Sequence, residues 1–132
     1  MQKRVLITGG TGFLGVHLSR FLLKKKYRVT LLDVAPLTAS DLQKKVDVVQ
    51  VDIKNKKALS QALTSIKPDY VVHAAAALPI HHDKKTIFDN NVDGTRNVLD
   101  ASLKAKVKRF VFISSTALYG VPKHLPETET DP

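Results

Sequence analysis

The sequence predicts an α/β protein built on an open, doubly wound parallel β-sheet, and three observations lead to this fold class. Short apolar segments rich in β-branched residues alternate with segments whose apolar residues recur at helical spacing. The first apolar segment runs directly into three glycines, Gly9, Gly12 and Gly15. A polar or small residue follows each apolar segment, where the carboxyl ends of parallel strands form the ligand-binding edge of such a sheet.

The first predicted strand, Val5-Leu6-Ile7-Thr8, precedes the glycines, which have the spacing Gly-x-x-Gly-x-x-Gly. Gly9 permits a tight turn, Gly12 lets the backbone approach a pyrophosphate, and Gly15 lets the next helix pack closely on the sheet. That helix is predicted to pack through one apolar face, formed by Leu14, Leu18, Phe21 and Leu22. Strand, glycine turn and helix together predict a dinucleotide-binding turn, with a glycine connection that binds nothing as the alternative.

The second predicted strand, 27–33, ends in an acid, Asp33, which lies 21 residues beyond Gly12. In dinucleotide-binding folds a carboxylate at this place accepts hydrogen bonds from the adenosine ribose hydroxyls. Its negative charge repels the 2′-phosphate of NADP, and the next residues, Val34-Ala35-Pro36, include no arginine to receive that phosphate. The sequence therefore predicts NAD as the cofactor rather than NADP.

Three further strands complete the predicted sheet, whose order is 3-2-1-4-5 with right-handed crossovers. Strand three spans 46–51 and leads into Asp52 and Ile53, strand four spans 70–73 and leads into Ala74 and Ala75, and strand five spans 109–115 and ends at Ser115. A helix with Leu59, Ala62, Leu63 and Ile66 on its apolar face is closed by Pro68. A long helix is predicted over 84–106, with Val92, Thr95, Val98, Leu99 and Ser102 on its packed face. Short apolar strands predict burial on both faces of the sheet.

Composition limits the classes of function. The chain of 132 residues has no cysteine, which excludes disulfides and thiolate metal sites. The formal charge of +9 allows a nucleic-acid partner, but the lysines are scattered in short runs at element ends without interleaved aromatic residues, so a solvated surface is the preferred interpretation. His81-His82-Asp83 lacks a third spaced ligand, and no metal is predicted. Without a signal peptide or a membrane-spanning run, the sequence predicts a cytoplasmic protein with no membrane partner.

Taken together, these residues resemble the extended short-chain dehydrogenase/reductase family, the NAD-dependent sugar epimerases and dehydratases. The resemblance covers nearly the whole chain, in six motifs that occur in the family's order. They are the glycine turn 8–15, Asp33, the pair Asp52-Ile53, the strand-four motif 72–76, the long-helix motif 91–101 and the active-site strand 112–120. The resemblance implies a Rossmann-type sheet and cofactor contacts at Gly9, Gly12, Phe13, Leu14, Gly15, Asp33, Asp52, Ile53, Ala74, Ala75 and Asn91.

In that family NAD accepts a hydride from a hydroxyl-bearing substrate, most often a nucleotide sugar. A tyrosine removes the proton of the substrate hydroxyl, and a nearby lysine lowers the pKa of that tyrosine. The resemblance gives Ser115 the role of the catalytic hydroxyl that orients the reacting oxygen. Tyr119 and Lys123 have the tyrosine–lysine spacing, but Gly120 and Pro122 between them disfavour the helix that would align the two side chains.

The family's working pair comes a couple of dozen residues after the serine. We therefore expect residues 1–132 to be the N-terminal, cofactor-binding portion of a longer enzyme, inactive alone and without its substrate-binding part. Family members often pair through the long helix and the helix that carries the tyrosine–lysine pair. The resemblance therefore implies a homodimer of the full-length protein, with half of that interface expected to be missing from residues 1–132. Two other hypotheses stay open from the residues alone: a non-catalytic dinucleotide-binding regulatory protein on the same fold, and a nucleic-acid-binding protein that uses the positive charge.

Overall fold

The computed structural model describes residues 2–80, 83–121, 125–126 and 128–130. Its centre is a sheet of five parallel strands in the order β3-β2-β1-β4-β5, which confirms the predicted topology. The strands are β1 (Arg4–Thr8), β2 (Arg28–Asp33), β3 (Asp47–Gln50), β4 (Tyr70–His73) and β5 (Arg109–Phe112).

Helices connect the strands on both sides of the sheet. They are α1 (Phe13–Lys24), α2 (Lys56–Ile66), α3 (Lys84–Phe88) and α4 (Thr95–Lys104), with a π-helical turn (Asp89–Gly94) between the last two and a 3₁₀ turn (Thr116–Tyr119) after β5. Helix α2 has a defined start and end, because the Asn55 side chain accepts a hydrogen bond from the N–H of Ala58 and Lys67 adopts a left-handed conformation before Pro68.

Alternating residues of the central strands pack into two hydrophobic clusters, one on each face of the sheet. On one face Leu6 and Val71 meet Leu59 and Leu63 of α2 and Val98 of α4. On the other face, Val5, Ile7, Val29 and Leu31 meet α1 and the helix-free connection between β2 and β3, which contributes Leu42 and Val46. The even-numbered residues of β1 therefore face α2 and α4, and Thr8 is among them.

The packed faces of α1 and of the long helical segment differ from the prediction. Helix α1 buries Gly15 and Ser19, and Leu18 and Leu22 pack against the core as predicted. Leu14 and Phe21, also predicted to be packed, are 44% and 55% exposed. The predicted helix over 84–106 is two α-helices joined by the π turn, and it buries Gly94, Val98, Ala101 and Ser102 but not Val92 or Leu99. Each packed face includes small residues, Gly15 and Ser19 in α1 and Gly94, Ala101 and Ser102 in the long segment, which allow the helix axis to approach the sheet more closely than leucine does.

The outer strands also correct the prediction of burial on both faces. Strand β3 contains no buried residue, and in β5 Val111 and Phe112 remain 41% and 54% exposed. Each outer strand has only one neighbouring strand, and within the described part of the chain no helix covers the α1 side of β5. Strand β5 ends at Phe112 rather than at the predicted Ser115, and β3 is one residue shorter at each end than predicted.

Candidate functional site

A cleft of about 260 Å³ lies at the carboxyl edge of the sheet, where β1, β2, β3 and β4 all end. Most of the predicted cofactor-binding residues line it: Gly9, Gly12, Asp33, Asp52, Ile53, Ala74 and Ala75. The fold explains this convergence, because parallel strands in register deliver the residues that follow them to one edge. This place in an open α/β sheet is the usual position of a ligand site.

The glycine turn forms one wall of the cleft, and its glycines serve different purposes. Gly9 has a φ of +64°, and a Cβ there would lie 2.8 Å from the backbone nitrogen and Cα of Ala75. A Cβ on Gly10 would lie 2.8 Å from the carbonyl oxygen of Ile7, and one on Gly15 would clash with the carbonyl of Gly10. The folded chain itself therefore requires these three glycines.

Gly12 differs from the other glycines of the turn. A Cβ on Gly12 would meet only the carbonyl oxygen of Gly9, at 3.3 Å, and its φ of −75° suits any residue. It is the N-cap of α1, where glycine provides no capping side chain, so the first N–H groups of the helix keep their hydrogen-bonding capacity for a ligand. The missing Cβ at Gly12 opens the cleft rather than relieving a contact within the chain, which fits a phosphate at the positive end of α1.

Asp33 links the glycine turn to the end of β2. Its Oδ2 accepts a hydrogen bond of 3.0 Å from the N–H of Thr11, and its Oδ1 accepts from the N–H groups of Val34 at 2.8 Å and Ala35 at 3.2 Å. The carboxylate is half-buried and lines the cleft with both oxygens held in place. An acceptor with spare lone pairs is thus directed to one end of the cleft.

The far wall of the cleft is formed by Asp52 and Ile53 after β3. The Asp52 carboxylate accepts from the N–H of Lys54 at 2.8 Å, and the Ile53 side chain is buried against Gly94 of the π turn. Asn97 of α4 donates its amide hydrogen to the carbonyl of Ile53 at 3.1 Å. Packing against Gly94 and the hydrogen bond from Asn97 therefore hold this segment in place. Asp52 and Ile53 give the cleft an acidic and apolar wall here.

Asn91 lies beside the cleft rather than in its lining. Its side chain accepts from the N–H of Ala77 at 2.7 Å and donates to the carbonyl of the same residue at 2.9 Å. It joins the segment after β4 to the π turn at Ala77, two residues beyond Ala75. Its neighbour Asn90 lines the cleft instead.

The other predicted contacts are also peripheral. Phe13 and Leu14 form the first turn of α1 with side chains 83% and 44% exposed, and Gly15 is buried under the turn. Sequence reasoning missed several lining residues besides Asn90: Leu32, Val34, Val51 and Ala76. Each of these four residues is next to a predicted site residue in the sequence. Adjacency to a predicted residue was therefore the only signal that could have found them.

Ser115 lies after the carboxyl end of β5, outside the lining of the cleft. It is the N-cap of the 3₁₀ turn, and its exposed Oγ accepts a hydrogen bond of 3.2 Å from the N–H of Ala117. A hydroxyl that accepts in this way keeps its hydrogen for another partner. Tyr119 ends the same turn, and Gly120 follows with a φ of +74°, so the chain leaves helical geometry there. Lys123 lies outside the described residues, and so do Pro122, His81 and His82.

Two negative findings concern only the described ranges. None of the helices in them has the length and apolar character needed to cross a bilayer. The same residues contain no group of three or more histidine or acidic side chains arranged to hold a metal ion.

The chain is similar in sequence to relatives of known function and in structure to solved proteins. The chain is 40% identical over 134 residues to a UDP-glucose 4-epimerase of Lactobacillus helveticus. The matched region covers 98% of this chain and 40% of that protein. The Bordetella bronchiseptica enzyme WbmG, solved in complex with NAD, superposes with a TM-score of 0.89 at 32% identity, over 100% of this chain and 44% of WbmG. The UDP-glucose 4-epimerase of Bifidobacterium longum, solved with NAD⁺ and UDP, has a TM-score of 0.88 at 30% identity, over 98% and 42% of the two chains.

The 132-residue chain thus spans about two fifths of the length of these proteins. The model of one protein family, described as the NAD dependent epimerase/dehydratase family, matches residues 5–132. The match includes the glycine turn, the acid after β2 and the segment after β5, and it agrees with the family resemblance that the motifs carry. The chain belongs to the NAD dependent epimerase/dehydratase family.

Proposed function

We propose that this chain binds NAD in the cleft at the carboxyl edge of the sheet. One observation carries the proposal: the glycine turn, the Asp33 carboxylate and the Ala74-Ala75 backbone converge on one cleft and fix each other's positions. Gly12 and the first N–H groups of α1 would hold the pyrophosphate, Asp33 the adenosine ribose, and Asp52 and Ile53 the adenine. The segment at Ala74 and Ala75 would lie beside the nicotinamide ribose.

The preference for NAD over NADP rests on the same carboxylate. Asp33 is tied to three N–H groups, so it cannot swing away to admit a 2′-phosphate without losing those hydrogen bonds. The residues that follow it, Val34 and Ala35, bring no positive charge to that end of the cleft. The NAD complexes of WbmG and of the Bifidobacterium epimerase support the same choice of cofactor.

We further propose that the full-length protein acts on a nucleotide sugar by hydride transfer to NAD. Bound NAD supplies the carbon that accepts the hydride. Ser115 would donate its hydroxyl hydrogen to the reacting substrate oxygen, since its Oγ already accepts from Ala117 and the residue is exposed. The UDP in the Bifidobacterium complex supports the nucleotide part of the substrate.

The isolated 132-residue chain should bind NAD without catalysing turnover. Tyr119 ends a 3₁₀ turn before a glycine of positive φ, a geometry that does not provide the helical i, i+4 alignment of a tyrosine–lysine pair. Turnover abolished by Tyr119→Phe would contradict this part of the proposal. The same observation favours the second candidate, a non-catalytic dinucleotide-binding regulator, for any form of the protein that lacks another such pair.

A homodimer through α4 is the proposed assembly. Exposed apolar residues form a stripe that runs from the end of α3 through the π turn to α4 and consists of Phe88, Val92, Leu99 and Leu103. A stripe at this spacing suits packing against a helix of a second copy. Sedimentation of the chain and of Leu99→Glu tests it: a monomer–dimer equilibrium weakened by the substitution is expected, and an unchanged equilibrium would contradict the proposed face.

Titration calorimetry with NAD and NADP tests the cofactor proposal. We expect measurable NAD binding, weaker NADP binding, and loss of the preference in Asp33→Ala. Asp47→Ala is the matched control, because Asp47 begins β3 at the opposite edge of the sheet and pairs with Arg28. Equal affinity of the unaltered chain for both cofactors would refute the role of Asp33. DNA binding that is salt-sensitive and indifferent to NAD would favour the nucleic-acid hypothesis instead.

A further inference from the structure

His73, the last residue of β4, is fully buried, and both of its ring nitrogens meet hydroxyl groups. Its Nδ1 lies 2.6 Å from Oγ1 of Thr8, and its Nε2 lies 2.8 Å from Oγ1 of Thr95. Thr8 ends β1 and Thr95 begins α4. One imidazole therefore joins two adjacent strands to the helix that covers them.

The Thr8 side of this network leads to the wall of the cleft. Thr8 directly precedes Gly9, its Oγ1 accepts from the N–H of Ala75 at 3.4 Å, and its carbonyl accepts from the N–H of Ala74 at 3.1 Å. Gly9 and Ala75 are in such close contact that a Cβ on Gly9 has no room. The Thr8 hydroxyl therefore lies between the imidazole and the backbone N–H of Ala75, which packs against Gly9 in this wall.

The Thr95 side leads to the π turn. Thr95 follows Gly94, the last residue of that turn, and the turn contains Asn90, which lines the cleft. It also contains Asn91, which holds the backbone of Ala77 through two hydrogen bonds. Both ends of the imidazole network therefore finish at residues that shape the cleft, although His73 itself does not line it.

The ring is kept neutral by its surroundings. Besides the two hydroxyls, the rings of Phe110 and Phe112 of β5 lie next to it, with centroids 6.0 and 5.8 Å away. Burial lowers the pKa of His73 from 6.5 to about 4, with no contribution from a charged neighbour. A neutral imidazole has one hydrogen-bond donor and one acceptor. A threonine hydroxyl can pair with either of them, because it can both donate and accept.

We propose that His73 is a positioning residue for the cofactor cleft, which holds the Thr8 and Thr95 hydroxyls at a fixed separation and so keeps the Gly9–Gly10 turn seated against Ala74-Ala75. This inference rests on the proposed binding of NAD in that cleft. His73 touches no cofactor in this arrangement and acts through Thr8. Its contribution is to the shape of the site before the cofactor arrives.

Two amide substitutions separate the two halves of the network. In His73→Asn the amide reaches the place of Nδ1, which preserves the bond to Thr8, whereas in His73→Gln it reaches the place of Nε2, which preserves the bond to Thr95. We expect both variants to lose thermal stability, but only His73→Gln to raise the calorimetric Kd for NAD by about tenfold, the effect of one lost hydrogen bond on the seating of the turn. Val98→Ala, a core truncation on α4, controls for lost stability alone.

A second pair of variants covers the case in which neither position-73 variant folds. Thr8→Ser keeps the hydroxyl and should keep the affinity for NAD, and Thr8→Val removes the hydroxyl at similar volume and should weaken binding like His73→Gln. Hydrogen exchange at the N–H of Ala75 provides a readout that needs no cofactor: exchange should quicken in His73→Gln and Thr8→Val but not in Val98→Ala.

The outcomes are distinguishable. Equal Kd values for His73→Asn and His73→Gln, with Ala75 exchange no faster than in Val98→Ala, would overturn the positioning role and leave His73 a purely structural core residue. An unaltered chain that does not bind NAD would refute the proposed function itself. The exchange rates would still report whether His73 seats the turn.

Discussion

The side chain of Asn91 makes two hydrogen bonds with the backbone of a single residue, Ala77, accepting from its N–H at 2.7 Å and donating to its carbonyl at 2.9 Å. Ala77 is buried, at 8% exposure, and lies in a segment without regular secondary structure. The amide thus replaces the strand partner that this backbone lacks. It fixes the connection after β4, which forms part of the cofactor cleft, to the π turn.

Asn91→Asp should separate the two halves of that interaction. The aspartate can still accept from the Ala77 N–H, but its second oxygen would face the Ala77 carbonyl, so the free energy of unfolding should fall by about 2 kcal/mol. We expect a weaker affinity for NAD as well, because the segment at Ala74 and Ala75 loses its lateral support. Chemical denaturation and calorimetry measure the two effects. Gln61→Glu, the same kind of change on the exposed face of α2, is the control, and an equal loss in both would contradict the role of Asn91.

Alanine substitutions in the glycine turn should show that Gly15 is needed for stability, whereas Gly12 is needed for NAD binding. Gly15→Ala places a Cβ against the Gly10 carbonyl and should lower the stability by about 3 kcal/mol. Gly12→Ala meets only the Gly9 carbonyl, at 3.3 Å, so the variant should fold with a nearly unchanged melting temperature and bind NAD poorly. Melting temperatures and calorimetry on both variants are the measurement. Normal NAD binding by Gly12→Ala would show that the space beside Gly12 does not serve the pyrophosphate.

The buried imidazole of His73 should make the stability depend on pH in a defined window. Its pKa is about 4 in the folded chain, against 6.5 in the unfolded chain, so between these values the unfolded state binds more protons. Stability should therefore fall as the pH decreases from 6.5 towards 4, by about 3 kcal/mol for the whole interval. Denaturation at several pH values measures the slope, which His73→Gln should flatten.

The carboxylates affect the pH dependence of the stability at lower pH than His73 does. The pKa of Asp41, beside Arg20, and that of Asp69, beside Lys108, are held below their usual value of 3.8. Their contribution is fully present well above 3.8 and is lost as the pH falls through their lowered folded pKa values, so it overlaps only the lower end of the interval in which His73 acts. A slope there that persists in His73→Gln would assign the effect to another group.

Two buried serines should respond in opposite directions to truncation. Ser102 of α4 is buried, and among the described residues its hydroxyl has no hydrogen-bond partner, so Ser102→Ala should raise the free energy of unfolding by about 1 kcal/mol. Ser19 of α1 is equally buried but donates to the carbonyl of Gly15 at 2.6 Å, so Ser19→Ala should lower it by about 1 kcal/mol. Urea denaturation of both variants gives the comparison. The same sign in both would contradict the assignment of partners.

The elements of this protein were predictable from local sequence. Apolar periodicity, with breaks at residues such as Gly9 and Pro68, indicates where strands and helices begin and end, and the right-handed crossover rule then restricts the order of the strands. Residues that follow strands in the sequence, such as Asp33 and Ala74, must arrive at one edge of a parallel sheet. Their grouping in the cleft needed no knowledge of side-chain packing.

What required the tertiary structure is everything that depends on packing between elements distant in the sequence. Helical spacing predicts a packed stripe through Leu14, Leu18, Phe21 and Leu22. Leu18 and Leu22 do pack, but the close approach of α1 to the sheet buries Gly15 and Ser19 and leaves Leu14 and Phe21 exposed. The apolar spacing does not predict the π turn either. A π turn differs from an α-helix in that its backbone hydrogen bonds span five residues rather than four, and this difference does not change which residues are apolar.

The sequence by itself determined the fold class, the strand order and the family, because each rests on short-range patterns and on the chirality of connections. The three-dimensional structure alone decided that Asn91 holds Ala77, and that Gly12 is the glycine whose open side faces the cleft. It also decided that His73 bridges Thr8 and Thr95, residues 65 positions before it and 22 after it. Hydrogen bonds of such long sequence separation form only after the chain has folded, which is why no local pattern announces them.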